Sequence, residues 1–353
     1  MFKILFIVLI IALVLMPNKH ASRSFSWLFL FATLLLLGLR HMYCYQDTYG
    51  YVQHYNMISN VSFKDLPQYF ERDVFFWYFS KLINVISGGN YSVWFSIISF
   101  IYIYSIYFLL KKESYLPAVS ILVLIVIGLL YFPFTGMRQT ISLAVISISM
   151  YFLLNNENKK AALMVVLASL FHATALIFII AIPLCHLKIN KTTIIAYLIA
   201  GLIIFSLGNH FSSIINSITS TDRFAHYADS ENTLSFTGFF IKLFLLLVSY
   251  YFLGQKRFEK KYSILINLAI IGLIAQSLSA HLAEMFRISM YFSLSYILLF
   301  ANAISEYKIR TRMNVVPIAV LTLLVVYIYL SNNSIINKDY YFFFDSYAVM
   351  IKN

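Results

Sequence analysis

The sequence predicts an all-α polytopic membrane protein, and three observations carry that prediction. Of its 353 residues, 61% are hydrophobic and only 11% charged, whereas ordinary soluble domains carry about 25% charged residues. Mean hydropathy is +0.80, and apolar runs recur along the whole chain, so its solvent is a bilayer. The runs are continuous, without the alternating ten-residue segments of a β-barrel.

Taken in order, the apolar runs are 3–17, 25–39, 91–110, 115–133, 139–154, 161–185, 193–208, 237–253, 263–280, 286–304 and 315–330. A further run, 74–87, is interrupted by Lys81 and Asn84. Phe2 to Met16, with Lys3 near its start, resemble a short signal sequence, but no small-residue cleavage site follows, so the stretch reads as a first span. Six basic segments (17–24, 111–114, 155–160, 186–191, 254–262 and 305–314) hold 15 of the 26 Lys and Arg residues and should face the cytoplasm. All six fall inside only if two stretches enter and leave on one side. One is 74–87; the other is 161–185, as bent half-helices turning near Phe171-His172-Ala173-Thr174. The expectation is therefore about ten full transmembrane helices plus two re-entrant or half-helix elements. A single straight span for 161–185 is the competing reading.

Residues 1–353 thus read as one integral membrane domain, with outer-face segments 40–73, 209–236 and 331–353 capping the helical bundle. The formal charge of +12 belongs to these topology signals. No basic tract with interleaved aromatics is present, and no nucleic-acid partner is expected. Cys44 and Cys185 fall on opposite sides of the membrane in this topology, so no disulfide is expected.

Against the charge rule, five of nine arginines lie on the outer side: Arg40, Arg72, Arg138, Arg223 and Arg287. A guanidinium costs about 2.5–3.5 kcal/mol at a helix centre in the bilayer, and it is the group best shaped to grip phosphate with paired hydrogen bonds. Outward arginines at helix ends therefore point to an anionic ligand, most simply phosphate or pyrophosphate. The alternative is that each snorkels to lipid headgroups or pairs with an acid. Arg138 and Arg287 favour the ligand, since each begins a hydrophobic helix and the acid nearest Arg138 in sequence, Glu157, is 19 residues away. Arg223 with Tyr227, and Arg287 with Tyr291, share an R-x-x-x-Y spacing that puts both side chains on one helix face. A chain with 27 Tyr also produces that spacing by chance.

Asp47 lies amid tyrosines in YCYQDTYGYVQHY, which reads either as a sugar-binding surface or as an aromatic interface belt. Glu71 and Asp73 flank Arg72 at the start of run 74–87, where acids favour a helix N-terminus. His172 stands inside the apolar LASLFHATAL. It is either a packing residue or, at an unwound turn in a membrane, a general base facing a cavity. HLAEM departs from the inverted zinc-protease signature at Met285. Phosphate-loop, dinucleotide-binding and metal-ligand motifs are absent, so no metal or other cofactor is expected.

These segments in this order resemble the EpsG-like family of Wzy-type bacterial polysaccharide repeat-unit polymerases. The resemblance rests on GLR (38–40), DTYGYVQHY (47–55), ERDVFFWYFSKL (71–82), FPFTGMRQTISLAV (132–145), LASLFHATAL (167–176) and the late arginine-tyrosine elements. At Glu71-Arg72-Asp73 the chain departs from the family pattern of Glu, a small residue and an aromatic. The resemblance implies an all-helical fold similar to lipid-linked-sugar glycosyltransferases of the GT-C-like type and to O-antigen ligases. It implies a metal-independent enzyme of the bacterial cytoplasmic membrane, with its site on the periplasmic or outer side. The substrates would be polyprenyl-pyrophosphate-linked oligosaccharides, donor and acceptor, reached from among the membrane lipids; a chain-length regulator is a further partner compatible with such an enzyme.

In that frame Arg138 and Arg287 would contact pyrophosphate, with Arg223 and Arg40 in support and Gln139 bonded to phosphate or sugar. His172 would be the base, with Asp47 the alternative base or a sugar ligand. Glu71, Tyr227 and Tyr291 would line the substrate. Two other classes fit less well. An O-antigen ligase would carry one large outer loop. A flippase would carry charge on both membrane halves.

Overall fold

Helix after helix follows the apolar runs, and among the described residues there is no strand. The computed structural model describes residues 19–44, 46–130, 132–206, 237–279, 285–312, 315–330 and 342. The expected first span 3–17 and outer segment 209–236 lie outside them, as does all of 331–353 except Phe342. The α-helices are α1 Lys19–Gly38, α2 Gln46–Met57, α3 Leu66–Tyr69, α4 Val74–Ser87, α5 Tyr91–Glu113, α6 Pro117–Val126, α7 Met137–Leu154 and α8 Asn158–Phe171. Then come α9 Ala181–Leu184, α10 Lys191–Ser206, α11 Thr237–Leu253, α12 Lys260–Leu278, α13 Met285–Thr311 and α14 Val315–Leu330.

Among the described residues, five helices are long and apolar enough to cross a membrane: Tyr91–Glu113, Met137–Leu154, Thr237–Phe258, Lys260–Leu278 and Met285–Thr311. Shorter apolar helices account for several of the other predicted runs. Run 115–133 is one of these, since α6 ends at Val126 and a turn follows.

Local signals explain the boundaries. Asn90 caps α5, its side chain accepting from the amides of Ser92 and Val93. Lys111 and Lys112 close the same helix, where the negative end of its dipole favours cations. Pro117 opens α6, at a position where a missing N–H costs nothing.

The chain divides into two compact units, residues 1–176 with 313–353, and residues 177–312. In the first, α7 packs along α5 and α8, and α1 packs on α5 and α6. The two residues that interrupt run 74–87 have a structural task there. Lys81 donates to the carbonyls of Ile58 at 2.8 Å and Ser59 at 3.0 Å, and Asn84 donates to that of Tyr55 at 3.0 Å. Those carbonyls end α2 and the short 3-10 turn after it, so α4 ties down the end of the preceding segment. Tyr55 also stacks on Trp94, with ring centroids 4.4 Å apart. Segment 40–73 is thereby held as ordered short helices on an aromatic core.

The second unit centres on α11, α12 and α13, with α10 against α12. At Gly272 an added Cβ would sit 2.9 Å from the Phe292 Cβ, so glycine sets the close approach of α12 and α13. Lys242, unremarked in the sequence reading, is buried on α11. Its ammonium donates to Gln276 Oε1 and Ser289 Oγ, both at 2.7 Å. Cys44 and Cys185 are both buried, and no disulfide joins them.

Candidate functional site

The stretch FPFTGMRQ builds one wall of the site. Residues 132–134 form a 3-10 turn, and Gly136 lets it fold tightly. An added Cβ there would lie 2.5 Å from the Phe132 ring. Two side chains of the 40–48 segment pin this turn. Thr48 donates to the Phe134 carbonyl at 2.8 Å, and Arg40 donates to the Pro133 carbonyl at 3.1 Å. Helix α7 then begins, placing Arg138 in its first turn.

Asp73 supplies the centre. It precedes α4 in the left-handed conformation, φ 54°, which a non-glycine residue adopts at roughly 1–2 kcal/mol. It stands at the N-terminus of α4, as the sequence leads one to expect, but its side chain makes no cap bond. The carboxylate turns instead toward two other segments. Oδ2 accepts from Arg138 Nη1 at 2.9 Å and from His172 Nδ1 at 2.8 Å, while Oδ1 accepts from the Ala173 amide at 3.1 Å. Only 5% of the Asp73 side chain is exposed.

Burial pushes this carboxyl upward, but the His172 hydrogen bond and charge, the Arg138 charge and the Ala173 amide outweigh it and hold it below its ordinary value.

His172 reaches Asp73 because α8 stops at Phe171. His172 itself is extended, φ −155° and ψ 112°, and a 3-10 helix follows from Ala173. The break falls at the turn expected from sequence. A carboxylate can only accept here, so Nδ1 carries the proton and Nε2 is left as the basic nitrogen. Arg138 is held on its other side by Tyr51, whose hydroxyl accepts from Nε at 3.3 Å. About a third of the Arg138 side chain stays exposed, with Nη2 directed to no acceptor among the described residues. A positive group with a spare donor edge and an imidazole therefore flank one buried carboxylate.

The remaining expected residues are spread more widely. Asp47 and Glu71 are exposed; Asp47 lies one helical turn before Tyr51 on α2. Gln139 is buried. Arg40, expected to support a phosphate, is 1% exposed. It also donates to the Leu37 carbonyl, lies 4.1 Å over the Phe95 ring, and its backbone bridges Phe342. Carbonyls and aromatic faces occupy that guanidinium, so it positions the 132–134 turn and offers no free edge to a substrate. Tyr291 is fully buried, so it presents no ring face to a sugar. Arg287 opens α13 in the second unit, half-buried beside the Phe286 ring. Arg223 and Tyr227 lie outside the described residues.

Sequence reasoning missed Asp73 and Tyr51 as partners of Arg138. A usable signal existed for Asp73: the acid directly before an apolar helix, in a chain with only 14 acids. A cavity of about 460 Å³ lies elsewhere, in the second unit, between Cys185, Lys188 and Lys260. Among the described residues no three His, Cys, Asp or Glu side chains converge as metal ligands would.

The EpsG family model matches residues 23–348. No curated protein and no solved structure matches the chain. With its membrane-length helices and a match over nearly its whole length, the chain belongs to the EpsG family, membrane proteins of polysaccharide biosynthesis.

Proposed function

We propose that this protein polymerises polyprenyl-pyrophosphate-linked oligosaccharide repeat units at the outer face of the bacterial cytoplasmic membrane. The observation that carries the reading is the single Asp73 oxygen shared by Arg138 and His172. That geometry supplies the two functions a metal-free transfer from a pyrophosphate carrier needs.

His172 Nε2 takes the proton of the acceptor sugar hydroxyl. The hydroxyl oxygen forms a bond to the anomeric carbon of the growing glycan, and the bond from that carbon to the phosphate oxygen breaks. Its electron pair leaves with polyprenyl pyrophosphate. Asp73 fixes the imidazole tautomer and stabilises the imidazolium as it forms, the role of the orienting carboxylate in hydrolase triads. Arg138 meets the charge growing on the leaving pyrophosphate with its spare donor edge, and such preorganised donors are worth about 10²–10³ in rate. The positive end of α7 adds to it. In this reading Gln139 and Glu71 are further substrate contacts.

The test is a surface-polysaccharide gel from a deletion strain of the native host, complemented with wild type, Arg138→Ala or Arg138→Lys at equal membrane expression. The expected result is a single repeat unit in the deletion strain, a full ladder with wild type, and none with either variant. Loss with Lys as well separates paired hydrogen bonding from charge alone. Complete loss of acceptor-linked glycan on deletion would move the assignment to a ligase or a flippase. A normal ladder with Arg138→Ala would remove that arginine from the mechanism.

A further inference from the structure

We propose that the face of α2 bearing Asp47, Gly50, Tyr51 and His54 is a saccharide subsite, which receives the terminal sugar of the acceptor. This rests on reading the Asp73 cluster as the transfer site. The spacing i, i+3, i+4 and i+7 puts these four residues on one stripe of the helix. Tyr51 ties the stripe to the cluster, because its hydroxyl bonds Arg138.

The stripe is polar in a largely apolar chain, and Asp47 and His54 on it keep bonding capacity. Asp47 is exposed and makes no ion pair among the described residues. His54 donates from Nδ1 to the Gly50 carbonyl at 2.8 Å, which fixes the tautomer and leaves Nε2 as an outward acceptor. Its ring leans on Phe70 and Trp77, with centroids 5.7 and 5.6 Å away, so that acceptor is held in place.

Between the two polar groups, Gly50 opens the floor. Nothing lies within 4 Å of the position its Cβ would take, and glycine on a helix, costing about 1 kcal/mol against alanine, suits close approach of a ligand to backbone. A carboxylate that accepts from adjacent hydroxyls, an imidazole that accepts from a third and bare backbone between them match a pyranose ring. They match a phosphate poorly, since both side chains accept. Asp47 is accordingly assigned as a sugar ligand, and the proton goes to His172.

The test uses purified protein in lipid nanodiscs and, as probe, the host's own repeat-unit oligosaccharide freed from its carrier, with saturation-transfer NMR titration as readout. Wild type binds, and Asp47→Asn and Gly50→Leu each weaken binding about tenfold or more, the loss expected for a charge-assisted hydrogen bond or for contacts sterically denied. Gln53→Ala, on another face of α2, leaves binding unchanged, and the unfolding temperatures of Asp47→Asn and Gln53→Ala match wild type, since both side chains are exposed. That combination supports the subsite, and it stands even if the gel assigns the reaction to a ligase. No saccharide binding by wild type, or wild-type binding by both Asp47→Asn and Gly50→Leu, overturns it.

Discussion

Among the described residues, a polar cluster around Lys242 in one unit compares with one around Asp73 in the other, and the two differ in what they leave unsatisfied. Around Lys242 every partner is neutral, and the cation is 4% exposed and bonded to Gln276 and Ser289. Around Asp73 the charges are paired, yet Arg138 is about a third exposed and His172 15%. The first cluster joins three helices and turns no free atom outward. The second holds its carboxylate dry while presenting a guanidinium edge and an imidazole nitrogen. Ionisable groups in a membrane bundle are functional candidates by default; this contrast shows that the deciding quantity is donor and acceptor capacity left over after packing.

The largest effect expected from breaking the contrast is at Asp73. Asp73→Asn keeps the shape but loses the charge, and its amide can turn an N–H toward His172 and reverse the imidazole tautomer. Polymerisation measured on purified lipid-linked repeat units should fall about 10²–10⁴-fold, with little change in unfolding temperature. An equal loss of stability would make the cluster structural.

Next comes the asymmetry within the Lys242 cluster. Gln276→Leu strands a buried cation and should destabilise the protein by about 1–3 kcal/mol, read as a lower unfolding temperature in nanodiscs. Lys242→Met removes the cation itself and should be near neutral, because replacing buried charge by apolar volume often is. Activity of Lys242→Met within a few-fold of wild type is expected; a loss as deep as that of Asp73→Asn would give the second unit a catalytic cation.

The smallest effect is at Tyr51. Tyr51→Phe deletes one long hydrogen bond to Arg138, worth about 0.5–1.5 kcal/mol. It should raise the inhibition constant of added pyrophosphate a few-fold while leaving the ladder present. No change would mean that Asp73 alone aims the guanidinium.

How far the site was legible varies residue by residue. Arg138 stood out because an arginine beginning an apolar helix violates a charge rule, and His172 because it breaks an apolar run. The segment 74–87 was marked by Lys81 and Asn84, whose polarity showed an interruption but not its purpose. Asp73 was visible only as a helix-start acid. Nothing local says that its backbone is left-handed and its carboxylate turned away from its own helix. Arg40 looked like Arg138 in sequence and ended buried under Phe95.

Hydrophobic content and run length by themselves determined the membrane class and the helical repertoire, because an apolar backbone in lipid must satisfy its own hydrogen bonds. The break at His172 and the family resemblance were also readable from order and composition. Only the tertiary structure decided which charges meet. Asp73 and Arg138 are 65 residues apart in the chain and Asp73 and His172 are 99 apart. Their pairing depends on how α4, α7 and α8 pack, a matter of side-chain volume and close helix approach that no local pattern encodes. That packing separates an arginine spent on carbonyls, Arg40, from one with an edge to spare, Arg138.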